Sequence, residues 1–138
     1  MSNLLLVYTV MDAWREKYHS IFITDDEESN IICIDCRKCI LSKKTAGKKA
    51  VDQIKEIIKK TDTTSLKYKP CQEDEHLVDG IINHFYINGS EMYKEIEIPD
   101  MSRMKSEAIQ PLKEMLKGIR DVLVPEGIEE YYLSLVFE

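Results

Sequence analysis

The hydrophobic positions in the first quarter of the chain predict β-strands. Residues Leu4 to Val10 are almost all apolar and include β-branched and aromatic side chains, which is typical of a central strand covered on both faces. Residues Ser20 to Thr24 and Ile31 to Asp35 are two more β-rich runs, and the polar stretch from Asp25 to Asn30 separates them. These two runs predict an antiparallel hairpin with a rather long loop.

Apolar residues recur at helical spacing in three later segments. Residues Thr45 to Thr61 carry alanine, valine and isoleucine on one stripe and lysine on the other, which predicts an amphipathic helix. The stripe from Met101 to Leu123 predicts another helix, and Pro111 is expected to kink it or divide it into two abutting helices. Residues Asp74 to Tyr86 also have helical spacing and an acidic start, so a helix is favoured there, although Asn88-Gly89 is a strong hairpin signal.

Three shorter runs complete the predicted fold. Residues Leu66 to Lys69, Glu91 to Ile98 and Tyr131 to Phe137 have the composition or the alternation of strands. A chain of 138 residues favours one core over two undersized ones, so residues 1–138 are predicted to form a single domain. The predicted fold class is α+β, with a mixed, largely antiparallel sheet and about three helices packed on one face.

Composition narrows the class of protein without identifying its activity. Hydrophobic residues make up 43% of the chain and charged residues 32%, which excludes collagen-like and wholly disordered proteins. The apolar amino terminus has no basic residues ahead of it and is far shorter than the roughly 20 residues that span a bilayer. We therefore expect a cytoplasmic protein with no membrane partner. The sequence does not predict the oligomeric state.

The four cysteines form the most conspicuous local pattern: Cys33, Cys36, Cys39 and Cys71. In a cytoplasmic protein they are expected to be free thiols, and no cofactor is predicted. The alternative is a thiolate metal site for zinc or an iron–sulfur cluster, or a redox protein that uses the same cysteines. Two features argue against this alternative. A strand over Ile31 to Asp35 would turn Cys33 away from Cys36, and Cys71 stands alone.

Charge is segregated along the sequence. Residues Arg37 to Lys60 include 9 basic and 2 acidic residues, which leaves 10 basic and 23 acidic residues elsewhere out of totals of 19 and 25. The basic segment is most simply the solvated face of a helix. The alternative is a nucleic-acid-binding module that uses Lys43 to Lys60, but almost all its charge comes from lysine and no aromatic residue interleaves to stack on bases.

The acidic majority of the chain predicts a binding surface for a basic protein. Carboxylates would speed the encounter and neighbouring aromatic side chains would supply contact area. The candidate partner-binding residues are Asp25, Asp26, Glu27, Glu28, Trp14 and Tyr18. We therefore expect a small acidic interaction module. An inhibitor or immunity-type protein that neutralises a cationic nuclease toxin would be one instance, by analogy from size and charge.

Short catalytic signatures are missing from the sequence. It contains no G-x-S-x-G, H-E-x-x-H or dinucleotide-binding glycine pattern. The histidines His19, His76 and His84 have no spacing that would bring them together. The sequence therefore favours a non-enzymatic role over an enzymatic one and names no catalytic residue.

Overall fold

The computed structural model describes residues 4–12, 18–26, 30–61, 81–88, 93–98 and 106–134. Their elements are β1 (Leu4–Asp12), β2 (Tyr18–Thr24), β3 (Ile31–Asp35), β4 (Ile40–Lys44), α1 (Lys48–Lys60), β5 (Ile81–Asn88), β6 (Tyr93–Ile98) and α2 (Ser106–Leu123). Two 3₁₀ helices follow α2, at Val124–Glu126 and Glu130–Leu133, and we call the second one the terminal 3₁₀ helix.

The strands form one sheet in the order β4-β3-β2-β1-β5-β6. Every pairing among the described strands is antiparallel, and β1 lies in the middle between β2 and β5. This confirms the predicted α+β class and the antiparallel character of the sheet. The predicted hairpin of β2 and β3 is also present, with His19 paired to Asp35 at one end and Ile23 to Ile31 at the other.

One face of the sheet is more deeply buried than the other. Along β1, Tyr8 and Val10 are completely buried, whereas Val7 and Thr9 on the opposite face are only half-buried. The register pairs Tyr8 with the fully buried Ile21 and Phe85, so the same face is covered across the three central strands. The described helices contribute their apolar stripes to the same core.

Helix α1 follows the predicted amphipathic pattern. Its buried residues are Ala50, Val51, Ile54 and Ile58. The helix packs against α2 where Gly118 allows a close approach, because a Cβ atom at Gly118 would lie 3.2 Å from Cδ1 of Ile57. The absence of a side chain at this position therefore sets the distance between the two helices.

Helix α2 is continuous through Pro111, so the predicted alternative of two abutting helices is wrong. Pro111 lies in the second turn of α2. Because the first backbone N–H groups of a helix have no intrahelical acceptor, only one or two of the donors that precede Pro111 can form such a hydrogen bond. The stripe after the proline stays intact, and Leu112, Met115, Leu116 and Ile119 are buried. Residues 101–105 of the predicted stripe lie outside the described residues.

The helix predicted over Asp74 to Tyr86 is wrong for residues 81–86, which belong to strand β5. Asn83, Phe85 and Ile87 are buried while His84 and Tyr86 are half-buried, so the side chains alternate as in a strand. Asn88 pairs with Tyr93 of β6, as the Asn88-Gly89 hairpin signal indicates. The described residues therefore contain two α-helices where about three were expected. Residues 74–80 lie outside the described part.

The strand predicted over Tyr131 to Phe137 is wrong for residues 131–133, which belong to the terminal 3₁₀ helix. Tyr132 and Leu133 are buried there and Tyr131 binds a distant carboxylate, so tertiary contacts outweigh the alternating pattern. Strand β4 was not predicted. The predicted strand over Leu66 to Lys69 lies outside the described residues. Where the chain is described, none of its helices has the length and apolar content needed to cross a bilayer.

Candidate functional site: the β3–β4 turn and its edge strand

The turn between β3 and β4 is held by Asp35. Asp35 and Ile40 form the last paired positions of the two strands, and residues 36–39 make the turn. Oδ1 of Asp35 accepts hydrogen bonds from the backbone N–H groups of Arg37 and Lys38, at 3.0 and 3.1 Å. An aspartate that binds the backbone two and three residues ahead stabilises a tight turn. The local sequence Asp35-Cys-Arg-Lys therefore favours a tight turn that reverses the direction of the chain.

The second oxygen of the same carboxylate connects the turn to the end of the chain. Oδ2 of Asp35 accepts a hydrogen bond from the hydroxyl of Tyr131, and Nζ of Lys38 lies 5.2 Å from the centre of the Tyr131 ring. Burial by itself raises the pKa of Asp35, but the hydrogen bonds from Tyr131, Lys38 and Arg37 and the charge of Lys38 together hold it below its ordinary value. Asp35 is therefore a buried, ionised anchor.

Three aromatic rings, those of His19, Tyr131 and Tyr132, form a cluster beside this anchor. His19 lies opposite Asp35 on β2, and its ring centre is 4.7 Å from that of Tyr131 and 5.9 Å from that of Tyr132. Burial and the hydrogen bond to Asp35 raise the pKa of Tyr131, and burial also raises the pKa of Tyr132. Both phenols remain neutral at physiological pH. The arrangement suits structural hydrogen bonding better than proton abstraction.

A small cavity of about 220 Å³ lies beside the anchor. Its lining includes Cys33, Lys38, Ser42, Lys44 and Tyr132. Small-molecule sites commonly occupy about 300–1,000 Å³, so this cavity is below the usual size. Burial raises the pKa of the Cys33 thiol to about 11, which leaves it protonated and a poor nucleophile at neutral pH. The thiol that lines the cavity is therefore not prepared for nucleophilic chemistry.

Strand β4 is the last of the described strands at the end of the sheet nearest this cavity. No other described strand pairs with its outer side. The side chains of Ile40 and Leu41 are 45% and 62% exposed, and those of Lys43 and Lys44 are exposed as well. Nζ of Lys44 donates a hydrogen bond to the carbonyl oxygen of Gly127, where a left-handed φ of 95° turns the chain. This edge combines apolar and cationic side chains in a short accessible strand.

The cysteines do not come together as a metal site in the described residues. Cys33 is buried on the covered face of β3, whereas Cys36 and Cys39 are exposed at the two ends of the turn. Cys71 lies outside the described residues. Within the described ranges no three cysteine, histidine or acidic side chains are placed to hold an ion. A structural zinc site needs four such ligands. A redox role that uses Cys33 together with Cys36 is also disfavoured, because the first side chain is buried and the second is exposed.

The described residues of the predicted acidic surface lie far apart. Tyr18 begins β2, whereas Asp25 and Asp26 follow its end, so about 20 Å of extended chain separates them. Oδ2 of Asp25 lies 2.5 Å from Nζ of Lys55 on α1, so a cation already neutralises part of this surface. Trp14, Glu27 and Glu28 lie outside the described residues, and their role in partner binding stays a prediction.

The basic segment Lys43 to Lys60 is not a continuous cationic surface. Its exposed lysines on α1 are Lys48, Lys49, Lys59 and Lys60, but Asp52 and Glu56 are exposed on the same helix. An open groove of about 690 Å³ runs along α1 and is lined by three of these lysines, both carboxylates and two apolar side chains: Lys48, Lys49, Lys60, Asp52, Glu56, Ile57 and Val122. Alternating charges weaken attraction for a phosphate backbone. Nucleic-acid binding through this helix stays an untested alternative.

The edge strand and the aspartate anchor were not identified from the sequence. Ile40 and Leu41 are too short an apolar run to predict a strand alone, but they follow a turn that begins with an aspartate. Nothing in the sequence connects Asp35 with Tyr131. Comparisons of this chain with protein-family models, curated proteins and solved structures found no match.

Proposed function

We propose that this chain is a small cytoplasmic protein-interaction module that binds its partner through strand β4. One observation supports this proposal: β4 ends the described sheet and exposes four of its five side chains. An edge strand presents unpaired backbone donors and acceptors, and an extended segment of another protein binds such an edge by adding one more strand. The proposed partner supplies that segment.

The side chains of β4 determine the chemistry of the proposed partner. Leu41 and Lys43 lie on the less covered face of the sheet, whereas Ile40 and Lys44 lie on the opposite face with Cys33 as a neighbour. Each face therefore offers one apolar and one cationic side chain. Cross-strand pairs of apolar residues and of opposite charges each contribute about 0.2–1 kcal/mol. A partner strand rich in β-branched and acidic residues complements this edge.

A synthetic peptide that alternates valine with glutamate tests the proposal. We expect it to bind the full chain, as measured by fluorescence anisotropy, and to slow the exchange of amide hydrogens in residues 40–44. Leu41→Glu should weaken binding by repelling the peptide. Val124→Glu is the matched control because Val124 is also exposed, at 42%, but belongs to the first 3₁₀ helix rather than to β4. Equal binding by the two variants, or no protection of β4, contradicts the proposal.

A second candidate is the interaction predicted from charge, in which a basic protein binds an acidic surface. It is supported by the formal net charge of -6 and by three exposed carboxylates near the chain end, those of Glu126, Glu129 and Glu130. An inhibitor or immunity-type role against a cationic nuclease belongs to this candidate. A peptide that alternates valine with lysine distinguishes the two candidates. Tighter binding of this peptide than of the valine–glutamate peptide, if salt weakens it, supports the acidic surface.

A further inference from the structure

The turn between β3 and β4 places two exposed cysteines at its ends. Cys36 directly follows Asp35 and Cys39 directly precedes Ile40, and Asp35 and Ile40 are paired across the strands. The two ends of a four-residue turn lie within about 7 Å of each other. Disulfides join residues whose Cα atoms are about 4.4–6.8 Å apart. A turn of this length therefore limits Cys36 and Cys39 to a separation comparable with the one that a disulfide requires.

The side chain of Cys39 points back toward the backbone of the turn. Its Sγ lies 3.9 Å from the carbonyl oxygen of Cys36, and the residue has a left-handed φ of 55°. At the other end of the turn, the backbone of Cys36 is fixed to β2, because its N–H donates a hydrogen bond to the carbonyl oxygen of Tyr18 at 2.9 Å. These contacts place the thiol of Cys39 beside the backbone of Cys36 and fix that backbone against β2.

Exposure distinguishes this pair from Cys33. Cys36 and Cys39 are accessible to solvent, whereas Cys33 is buried and its thiol is held protonated. The side chains of Arg37 and Lys38, which lie between the two cysteines in the turn, are exposed and cationic. Local positive charge increases the encounter rate with a negatively charged reactant. A small anionic disulfide is therefore the reactant that this turn suits.

We propose that Cys36 and Cys39 are a redox-active dithiol that forms a reversible disulfide by exchange with a small anionic disulfide of the glutathione type. The thiolate of one cysteine attacks a sulfur of the small disulfide, which breaks its S–S bond and releases one thiolate. The thiolate of the second cysteine then attacks the mixed disulfide and releases the other. The protein loses two protons and two electrons, and the small disulfide becomes two thiols.

The fragment of residues 35–51 allows a direct test, because cleavage before aspartate releases it with Cys36 and Cys39 as its only cysteines. The full chain is equilibrated with mixtures of reduced and oxidised glutathione and then treated with an alkylating reagent. As the proportion of oxidised glutathione rises, we expect the fragment to carry no alkyl group. Its mass should then be two hydrogen atoms below that of the reduced, unalkylated fragment. Dithiothreitol should restore both alkylation sites.

The variants Cys36→Ser and Cys39→Ser show whether the second step needs the partner thiol. Each should stop at a mixed disulfide with one glutathione on the fragment. The proposal is overturned if the native fragment stays doubly alkylated in oxidised glutathione alone, or if it collects a glutathione on each cysteine. A disulfide that joins this fragment to one containing Cys33 or Cys71 also overturns it.

Discussion

The hydroxyl of Tyr131 donates a hydrogen bond to the carboxylate of Asp35, although the two residues are 96 positions apart in the sequence. The other oxygen of that carboxylate holds the β3–β4 turn through the N–H groups of Arg37 and Lys38. One buried side chain therefore connects the terminal 3₁₀ helix with the turn that carries the two exposed cysteines. The stability of the candidate site depends on this connection.

Removing the hydroxyl of Tyr131 is expected to destabilise the protein. Tyr131→Phe leaves one oxygen of a buried carboxylate without its donor, which costs about 1–3 kcal/mol. The free energy of unfolding in urea at neutral pH measures the loss. Tyr18→Phe is the matched control, because Tyr18 is exposed and the same change there should alter stability by less than about 0.5 kcal/mol. Equal losses would show that the Tyr131 hydrogen bond is not a stabilising contact.

Asp35 is expected to make the protein sensitive to acid. Its folded pKa lies below the unfolded value of about 3.9, so its contribution to stability is present above that pH and is lost as the pH falls through the folded pKa. Asp35→Asn should be less stable at neutral pH and should lose less stability on acidification than the native chain.

Urea titrations from neutral pH down to pH 2 measure the acid sensitivity. Asp52→Asn serves as the control, since Asp52 is exposed on α1 and its variant should follow the native curve. A native-like slope in Asp35→Asn would assign the acid sensitivity to other carboxylates.

Cys33 is expected to resist alkylation in the folded chain. Burial raises its pKa to about 11, so only a very small fraction is thiolate near neutral pH, and the sulfur is also inaccessible. N-ethylmaleimide should modify Cys36 and Cys39 quickly and Cys33 only after unfolding in urea. Cleavage before aspartate places Cys33 alone in residues 26–34, where its labelling can be followed. Rapid labelling of that fragment without urea would contradict the buried position.

The burial of the apolar stripe of α1 in the core is expected to contribute strongly to stability. Ile54 is completely buried, and Ile54→Ala should cost about 2–5 kcal/mol through the lost side-chain burial and the cavity that remains. The neighbouring Gln53 is exposed, so Gln53→Ala should change stability by no more than about 0.5 kcal/mol. Urea denaturation of both variants checks this. Similar costs at the two positions would mean that α1 does not pack through its predicted stripe.

Elements with a strong local pattern could be predicted from the sequence. The strands β1, β2 and β3 and the helix α1 follow from continuous or periodic apolar runs, and the α+β class follows from their order. Helix α1 begins three residues later than predicted, at Lys48 after Gly47. The position of the cysteines was also visible in the sequence, but their exposure depends on where β3 ends.

Residues 81–86 show why the remaining elements needed the structure. Their apolar spacing fits a helix and a strand equally well, and pairing of β5 with β1 and β6 decides between the two. The terminal 3₁₀ helix is a similar case, because Tyr131 bends toward Asp35 rather than continuing a strand. In both segments contacts with distant residues outweigh a weak local preference.

The amino-acid sequence alone determined the α+β class, the amphipathic α1 helix and the segregation of charge, because each depends on residue identity and spacing within a short window. Only the tertiary structure decided that β4 ends the described sheet with exposed side chains, that Asp35 binds Tyr131 and that Cys36 faces solvent while Cys33 does not. Those features depend on which strands become neighbours, and strand pairing is set by contacts between segments that are far apart in the chain.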